Sequence, residues 1–217
     1  SIDIKKDYPK MLKEEGYTSF TKDDLIPLAA MKIDKEYIRS VKDAGFKNLQ
    51  LDDLIPLKAL NIDKTYIQEI RSAGYPDISV EKLVSFKSQD IDKEYILKMK
   101  NSGVVNKDKH QEDKAKHTDD DDVLIAIKSL NITEEFANSF KVVGLNNLSS
   151  QELITLKALG ITPDFIRSYQ SAGFTSLGVD DLAALKSLDI TPEYKKSWEN
   201  SGYKVEIDDL TALKTLN

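Results

Sequence analysis

The sequence predicts an all-α fold made of tandem 29-residue helix-hairpin repeats that form an α-solenoid-like array. Three observations carry that prediction. First, Gly16, Gly45, Gly74 and Gly103 recur at a 29-residue step, and after one longer gap Gly144, Gly173 and Gly202 resume it. A fixed period of this length marks a repeat architecture, in which each unit buries its apolar face only against its neighbours. Second, one helix-start signal returns ahead of six of these glycines. It is Asp34, Asp63 or Asp92 in the first half and Thr133, Thr162 or Thr191 in the second. An aromatic residue follows each of them three positions later: Tyr37, Tyr66, Tyr95, Phe136, Phe165 and Tyr194. Third, the apolar residues between the signals keep helical spacing.

The unit from Gly45 to Gly74 holds two short helices. Helix A covers residues 52–60, with Leu54, Ile55, Leu57 and Leu60 on one face. Its acidic pair Asp52-Asp53 lies in the first turn and Lys58 near the end, which suits the helix dipole. Helix B starts at the N-cap Asp63, and Ile62 and Ile67 are placed as a hydrophobic staple. In the second half Pro163 and Pro192 take the first helical position, where a missing N–H costs nothing. Gly74 then stops helix B in the left-handed conformation, and Ile70 and Tyr75 are spaced to clip that stop. The same clip pairs return as Leu12 with Tyr17, Val41 with Phe46, Met99 with Val104, Phe140 with Leu145, Tyr169 with Phe174 and Trp198 with Tyr203.

Helices of about ten residues are unstable alone in water, so the units must stack. Ile4 and Tyr8 precede Gly16 as Ile33 and Tyr37 precede Gly45, so the first helix is of B type. The last segment, LTALKTLN, is of A type, which gives seven helices of each kind and points to trimmed or offset end units. The gap from Gly103 to Gly144 is 12 residues too long. The surplus lies in a polar stretch that reads as a linker. The predicted organisation is a first repeat array over 1–103, a polar insertion or hinge over 104–121 and a second array over 122–217.

Composition narrows the function classes. Of the 217 residues 40% are hydrophobic and 31% charged, a soluble globular balance. The net charge of −6 argues against a general nucleic-acid role, which needs a basic face. There is no cysteine, so disulfides and thiolate chemistry are excluded. No apolar run approaches the roughly 18 residues of a membrane span.

No catalytic, cofactor-binding or metal residue is assigned from the sequence. Only His110 and His117 could join Asp119, Asp120, Asp121 and Asp122 in a metal site, and their spacing matches no standard zinc pattern. No HExxH motif, nucleophile elbow or phosphate loop occurs. The acidic pairs Asp23-Asp24, Asp52-Asp53, Asp180-Asp181 and Asp208-Asp209 read as dipole partners of A helices rather than a ligand ladder. The recurring Tyr and Phe of the B helices read as packing residues. The outward B positions Arg39, Gln68, Leu97, Asn138, Arg167 and Lys196 vary in type and show no residue-by-residue code.

The segments DDLIPLKALNIDKTYIQEIRSAG and ELITLKALGITPDFIRSYQSAG resemble repeats in the extracytoplasmic region of bacterial beta-lactam-sensor-type membrane metallopeptidases, also described as antirepressors regulating drug resistance. The likeness covers nearly the whole chain except the insertion. It implies an outward-facing sensor or interaction region of a membrane-anchored signalling protein. The peptidase's zinc motif is absent here, so the resemblance carries over no catalytic residue. The expected protein is therefore a right-handed stack of helical hairpins without enzyme activity or cofactor. It serves as a scaffold for protein interaction or ligand sensing, with an unidentified protein or peptide partner and no nucleic acid. Three other readings stand beside it: a passive spacer, a metal-sensing module using the His/Asp-rich insertion, and an enzyme with an unfamiliar site between the halves.

Overall fold

The computed structural model describes residues 7–105 and 120–216. The described residues form fourteen α-helices and no strand, so the fold is all-α. The chain divides into two compact units, 1–98 and 99–217. In chain order the first seven helices are α1 (Tyr8–Glu14), α2 (Lys22–Ala30), α3 (Lys35–Asp43), α4 (Leu54–Ala59), α5 (Lys64–Ser72), α6 (Val80–Ser88) and α7 (Lys93–Asn101). The others are α8 (Asp120–Ser129), α9 (Glu134–Ser139), α10 (Ser150–Ala158), α11 (Pro163–Ser171), α12 (Val179–Ser187), α13 (Pro192–Asn200) and α14 (Ile207–Thr215). Odd numbers up to α7 are B helices and even numbers are A helices. After the insertion the A helices are α8, α10, α12 and α14.

Six of the seven B helices begin as their sequence dictates, while α1 starts at Asp7 without a side-chain cap. The carboxylates of Asp34, Asp63 and Asp92 accept from the main-chain N–H groups of Tyr37, Tyr66 and Tyr95 at 2.8, 2.8 and 2.7 Å. The hydroxyls of Thr133, Thr162 and Thr191 take the same role, each at 3.2 Å. An ionised acceptor draws the donor closer than a neutral one. Five A helices also start with a carboxylate cap. Asp24, Asp53, Glu152, Asp181 and Asp209 accept from the main-chain N–H three residues earlier, at 2.6–2.9 Å. The second member of each acidic pair therefore caps a main-chain N–H at the helix start, and at α10 the Ser149 hydroxyl completes a reciprocal box by accepting from Glu152 N at 3.2 Å. The α4 unit starts later than the expected 52, because residues 51–53 form a turn before Leu54.

Helix stops decide the architecture. At the B ends the glycine has φ between 75° and 118°. The next residue returns its N–H to the carbonyl five positions back, as in Tyr17 to Leu12 (3.0 Å) and Phe174 to Tyr169 (3.1 Å). This is the Schellman ending expected from the sequence. The clipped rings also touch: Trp198 and Tyr203 stand edge to face with centroids 6.0 Å apart. At α7 the pattern slips by one residue, and Val105 rather than Val104 donates to Met99 O. There the Ser102 hydroxyl accepts from Val104 N at 3.4 Å, although Ser201 at the same repeat position keeps the regular ending, with Tyr203 N 3.2 Å from Trp198 O.

The A helices end in the same way, although the sequence reading assigned them no stop. Lys32, Asn61, Asp90, Asn131, Gly160 and Asp189 all have φ of 50–62°. The isoleucine behind each returns its N–H to the carbonyl five residues earlier, at 2.8–3.1 Å. Asn, Asp and Gly tolerate this conformation; lysine does not gain from it.

These stops fold the chain into hairpins whose like helices lie together. In the first unit α2 packs on α4, α4 on α6 and α3 on α5. In the second, α8, α10, α12 and α14 pack in succession, and α11 packs on the 3-10 turn Phe140–Val143 that ends α9. The β-branched pair Val142-Val143 accompanies that tightening. The core consists of the repeated apolar positions, with Leu28, Ile38, Leu57, Ile67 and Phe86 buried in the first unit. Phe140, Leu156, Leu182, Leu185 and Leu210 do the same in the second. Burial of each contributes roughly 1.5–3 kcal/mol.

Two further ladders stitch neighbouring repeats. The hydroxyls of Tyr8, Tyr37 and Tyr66 donate to the carbonyls of Ile33, Ile62 and Ile91 at 2.7, 3.0 and 2.7 Å. Each bond ties a B helix to the start of the next one. In the second unit phenylalanine replaces this tyrosine at position 165, and Tyr169, one turn later, reaches Ile190 O at 2.6 Å instead. In the second ladder, A-helix lysines cover the B-helix rings: Lys58 on Tyr37, Lys87 on Tyr66, Lys157 on Phe136, Lys186 on Phe165 and Lys214 on Tyr194. The distances are 4.3–5.1 Å, within cation–π range. The aromatics thus pack between repeats, Tyr66 buried and Tyr37, Tyr95, Phe136, Phe165 and Tyr194 half-buried.

Two predictions come from this packing. Lys32→Gly relieves a left-handed lysine, so it is expected to stabilise the fold by roughly 0.5–1 kcal/mol in chemical denaturation. A loss of stability would show that the lysine side chain holds that turn. The second concerns alkali. Burial, with the Asp34 carboxylate second, raises the Tyr8 hydroxyl to about 12, and burial with Asp53 and Glu15 does the same for Tyr17. Burial also pushes Tyr37 and Tyr66 upward. An unfolded tyrosine ionises near 10, so the native state keeps protons that the unfolded state has lost. Stability is therefore fully present below about pH 10 and falls between about pH 10 and 12. Tyrosinate absorbance and far-UV circular dichroism are expected to change together in that window. Ionisation at the ordinary pH with helicity intact would contradict the ladder.

Candidate functional site

The outer face of α3 carries a mixed-charge stripe. Lys35, Glu36, Arg39, Ser40 and Asp43 fall at i, i+1, i+4, i+5 and i+8, which is one helical face. Lys64, the first residue of α5, completes an open groove of about 460 Å³.

The groove is braced from behind by a buried carboxylate. Glu15 has only 6% of its side chain exposed, and Arg39 Nε donates to it at 2.9 Å. Lys35 Nζ lies 3.7 Å from Glu15 and 3.1 Å from Glu14. That hydrogen bond and the positive charge of Lys35 hold the exposed Glu14 carboxyl below its ordinary value. Lys42 Nζ donates to the Glu15 carbonyl and covers the Tyr17 ring at 4.7 Å. Other repeats place Ala44, Ala73, Ser102, Val143, Ala172 or Ser201 where Glu15 stands. A lone buried carboxylate costs several kcal/mol, so it recruits Arg39 and Lys35 and fixes them along the groove.

The groove is mixed in charge. Three cations and two carboxylates line the groove. Lys64 has no ion-pair partner among the described residues. Arg39 keeps 58% of its side chain exposed, so its outer guanidinium edge faces solvent. The one hydroxyl, on Ser40, donates to Tyr37 O at 2.7 Å.

The structure scatters the other residues that the sequence singled out. His110, His117 and Asp119 lie outside the described residues, while Asp120, Asp121 and Asp122 form the first turn of α8. Among the described residues no group of three His, Cys, Asp or Glu side chains is placed to hold a metal. The 104–121 segment meets structure at both ends: Val104 is buried, its carbonyl accepts from Ser150 Oγ at 2.9 Å, and α8 begins at Asp120. The outward B positions Arg39, Gln68, Leu97, Asn138, Arg167 and Lys196 are all exposed. Arg39 alone among them enters the groove.

Sequence reasoning passed over two charged residues in apolar positions. Glu15 is one. Lys195 is the other, standing where the repeat has Ile38, Ile67 or Ile166. It is buried, with Nζ 2.7 Å from Glu199, 3.4 Å from the Ala172 carbonyl and 5.1 Å from the Phe174 ring centre. Aligning the repeats column by column reveals both, because a charge then appears in an otherwise uncharged column.

No family model, curated protein or solved structure matched this chain.

Arg39→Ala removes the main partner of a buried carboxylate. Discounted for the exposure of the arginine, the expected cost is about 1–2 kcal/mol in urea denaturation. Glu15→Ala installs the residue of the other repeats and is expected to be near neutral or stabilising. Equal losses for both variants would show that Glu15 is held for packing instead.

Proposed function

We propose that this chain is a non-enzymatic scaffold that stacks its helical repeats as an α-solenoid-like array and binds a protein partner along the α3 groove. The observation that carries this reading is the groove itself. It combines an exposed guanidinium, an unpaired lysine and a braced cationic wall on an otherwise structural face. The remaining recurrent polar chemistry supports the same reading, because the tyrosines, lysines and second aspartates are consumed in holding repeats together. The partner segment that fits is a peptide presenting carboxylates to Arg39 and Lys64 beside basic groups facing Glu36 and Asp43. Taken with the resemblance of its repeats, the chain belongs to the outward-facing interaction region of a membrane-anchored signalling protein. No described helix is long and apolar enough to cross a membrane, so anchoring is assigned to another part of such a protein.

The test is an immobilised array of acidic, basic and mixed-charge peptides probed with labelled protein at two salt concentrations. Selective capture by carboxylate-bearing peptides is expected, weakened at high salt and lost in the Arg39→Glu, Lys64→Glu double variant. Binding that ignores peptide charge, or that survives the double variant, would overturn the groove. Absence of capture by any class would favour the passive spacer.

A further inference from the structure

The three A helices of the first unit present one surface to solvent. Leu28, Leu54, Leu57, Leu83 and Phe86 bury the opposite side of α2, α4 and α6, and α4 packs on both of its neighbours. On the outward side Ile26 is 49% exposed, and Ile55 and Val84, at the same repeat position, are half-buried. One turn further on stand Ala30, Ala59 and Ser88, all exposed and all small, so nothing bulky flanks the aliphatic row there. An apolar row rimmed by charge is the pattern of an interaction surface.

The rim is acidic. Asp23, Asp52 and Glu81 each lie three residues before the row, about one helical turn away. They are exposed, and their carboxylates form no ion pair among the described residues. Starting the helices does not consume them, because that role falls to Asp24, Asp53 and the Ser79 hydroxyl. Lys22 and Lys82 share this edge with five carboxylates, those of Asp23, Asp24, Asp52, Asp53 and Glu81, so it stays negative. Pro27 and Pro56 have no N–H to return to the carbonyls of Asp23 and Asp52, which adds to the surplus of acceptors. The second unit lacks the combination: its corresponding row ends in Ala183 and Thr211, and Gln151 interrupts its edge.

Charge and spacing select the occupant. Packed helices lie about 8–10 Å apart, so the aliphatic row repeats at about that interval. A helix advances about 10 Å in seven residues. A helix laid across α2, α4 and α6 therefore meets Ile26, Ile55 and Val84 with side chains at i, i+7 and i+14, and turns one flank toward Asp23, Asp52 and Glu81. That flank has to be basic. The same face of a second copy would set carboxylates against carboxylates, which works against self-pairing. We propose that this face docks an amphipathic helix of a partner protein, with its aliphatic side on the row and a Lys/Arg flank against the acidic rim. The site is separate from the α3 groove, where Arg39 and Lys64 meet a partner's carboxylates.

Fluorescence anisotropy with a labelled synthetic helix of about 18 residues, leucine on one face and lysine along one flank, tests this. Binding to the native chain is expected, weaker at high salt. The Asp23→Asn, Asp52→Asn, Glu81→Gln triple variant and Ile26→Asp are each expected to lose roughly tenfold in affinity, with circular dichroism unchanged because these side chains are exposed. The decisive arm reverses the rim. Asp23→Lys, Asp52→Lys, Glu81→Lys is expected to release the lysine helix and to take up the same helix with glutamate in place of lysine. The Arg39→Glu, Lys64→Glu variant is expected to bind the lysine helix as the native chain does, so loss of the groove and loss of this face are read separately. A native chain that does not bind, a scrambled peptide that binds as well as the amphipathic one, or affinity unchanged by reversing the rim overturns the proposal. Self-association of the native chain that Ile26→Asp abolishes overturns it too and gives the face to a second copy.

Discussion

The left-handed residue that closes each helix, with the hydrogen bond that wraps back five residues behind it, sets the scale of everything else. It holds most helices to about nine residues. Gly45 shows why glycine is needed at a B stop. Its φ is 118°, and a Cβ there would lie 2.0 Å from the Arg71 guanidinium, which covers the Phe46 ring. The stop and the cation that seals the junction thus share one small space. At the A stops no such crowding is recorded for Gly160, and asparagine, aspartate or lysine fills the equivalent place elsewhere.

Because the helices are short, stability has to come from contacts between them, and those contacts are unusually polar for a packing surface. A tyrosine hydroxyl reaches a carbonyl 25 residues on, and a lysine covers a ring 21 residues back. Both interactions sit at the rim of the apolar core, where a long side chain can bury its stem and keep its charge hydrated. This placement explains why the recurrent Tyr, Lys and capping Asp columns make poor candidates for a ligand code. They are already engaged. The groove that we propose for recognition backs instead onto a position that breaks the repeat, Glu15.

The local features were legible in the sequence because their partners are near neighbours. An Asp or Thr with its aromatic three residues later is both the signal and the hydrogen bond, and so is a glycine with its flanking apolar pair. The A-helix stop was legible too, through Asn61, Gly160 or Asp189 directly before an isoleucine, but the more regular glycine period drew attention away from it. The ladders were hidden for a different reason. Tyr169 replaces the hydroxyl of a missing tyrosine from one turn further along, so no single column of the repeat records the interaction. The groove was equally hidden, since Arg39 and Lys64 are ordinary surface residues until α3 and α5 are set side by side.

The amino-acid sequence by itself determined the all-α class, the hairpin unit, most helix boundaries and the apolar faces, since caps, stops and periodicity act within one or two turns of chain. Tertiary structure alone decided which polar groups meet. It paired Lys58 with Tyr37 and buried Glu15 behind Arg39. It also left the Tyr194 hydroxyl without an acceptor while its counterparts found one. Those outcomes depend on the distance between atoms in neighbouring repeats, a quantity that short-range propensities do not contain and that only the stacking of the hairpins supplies.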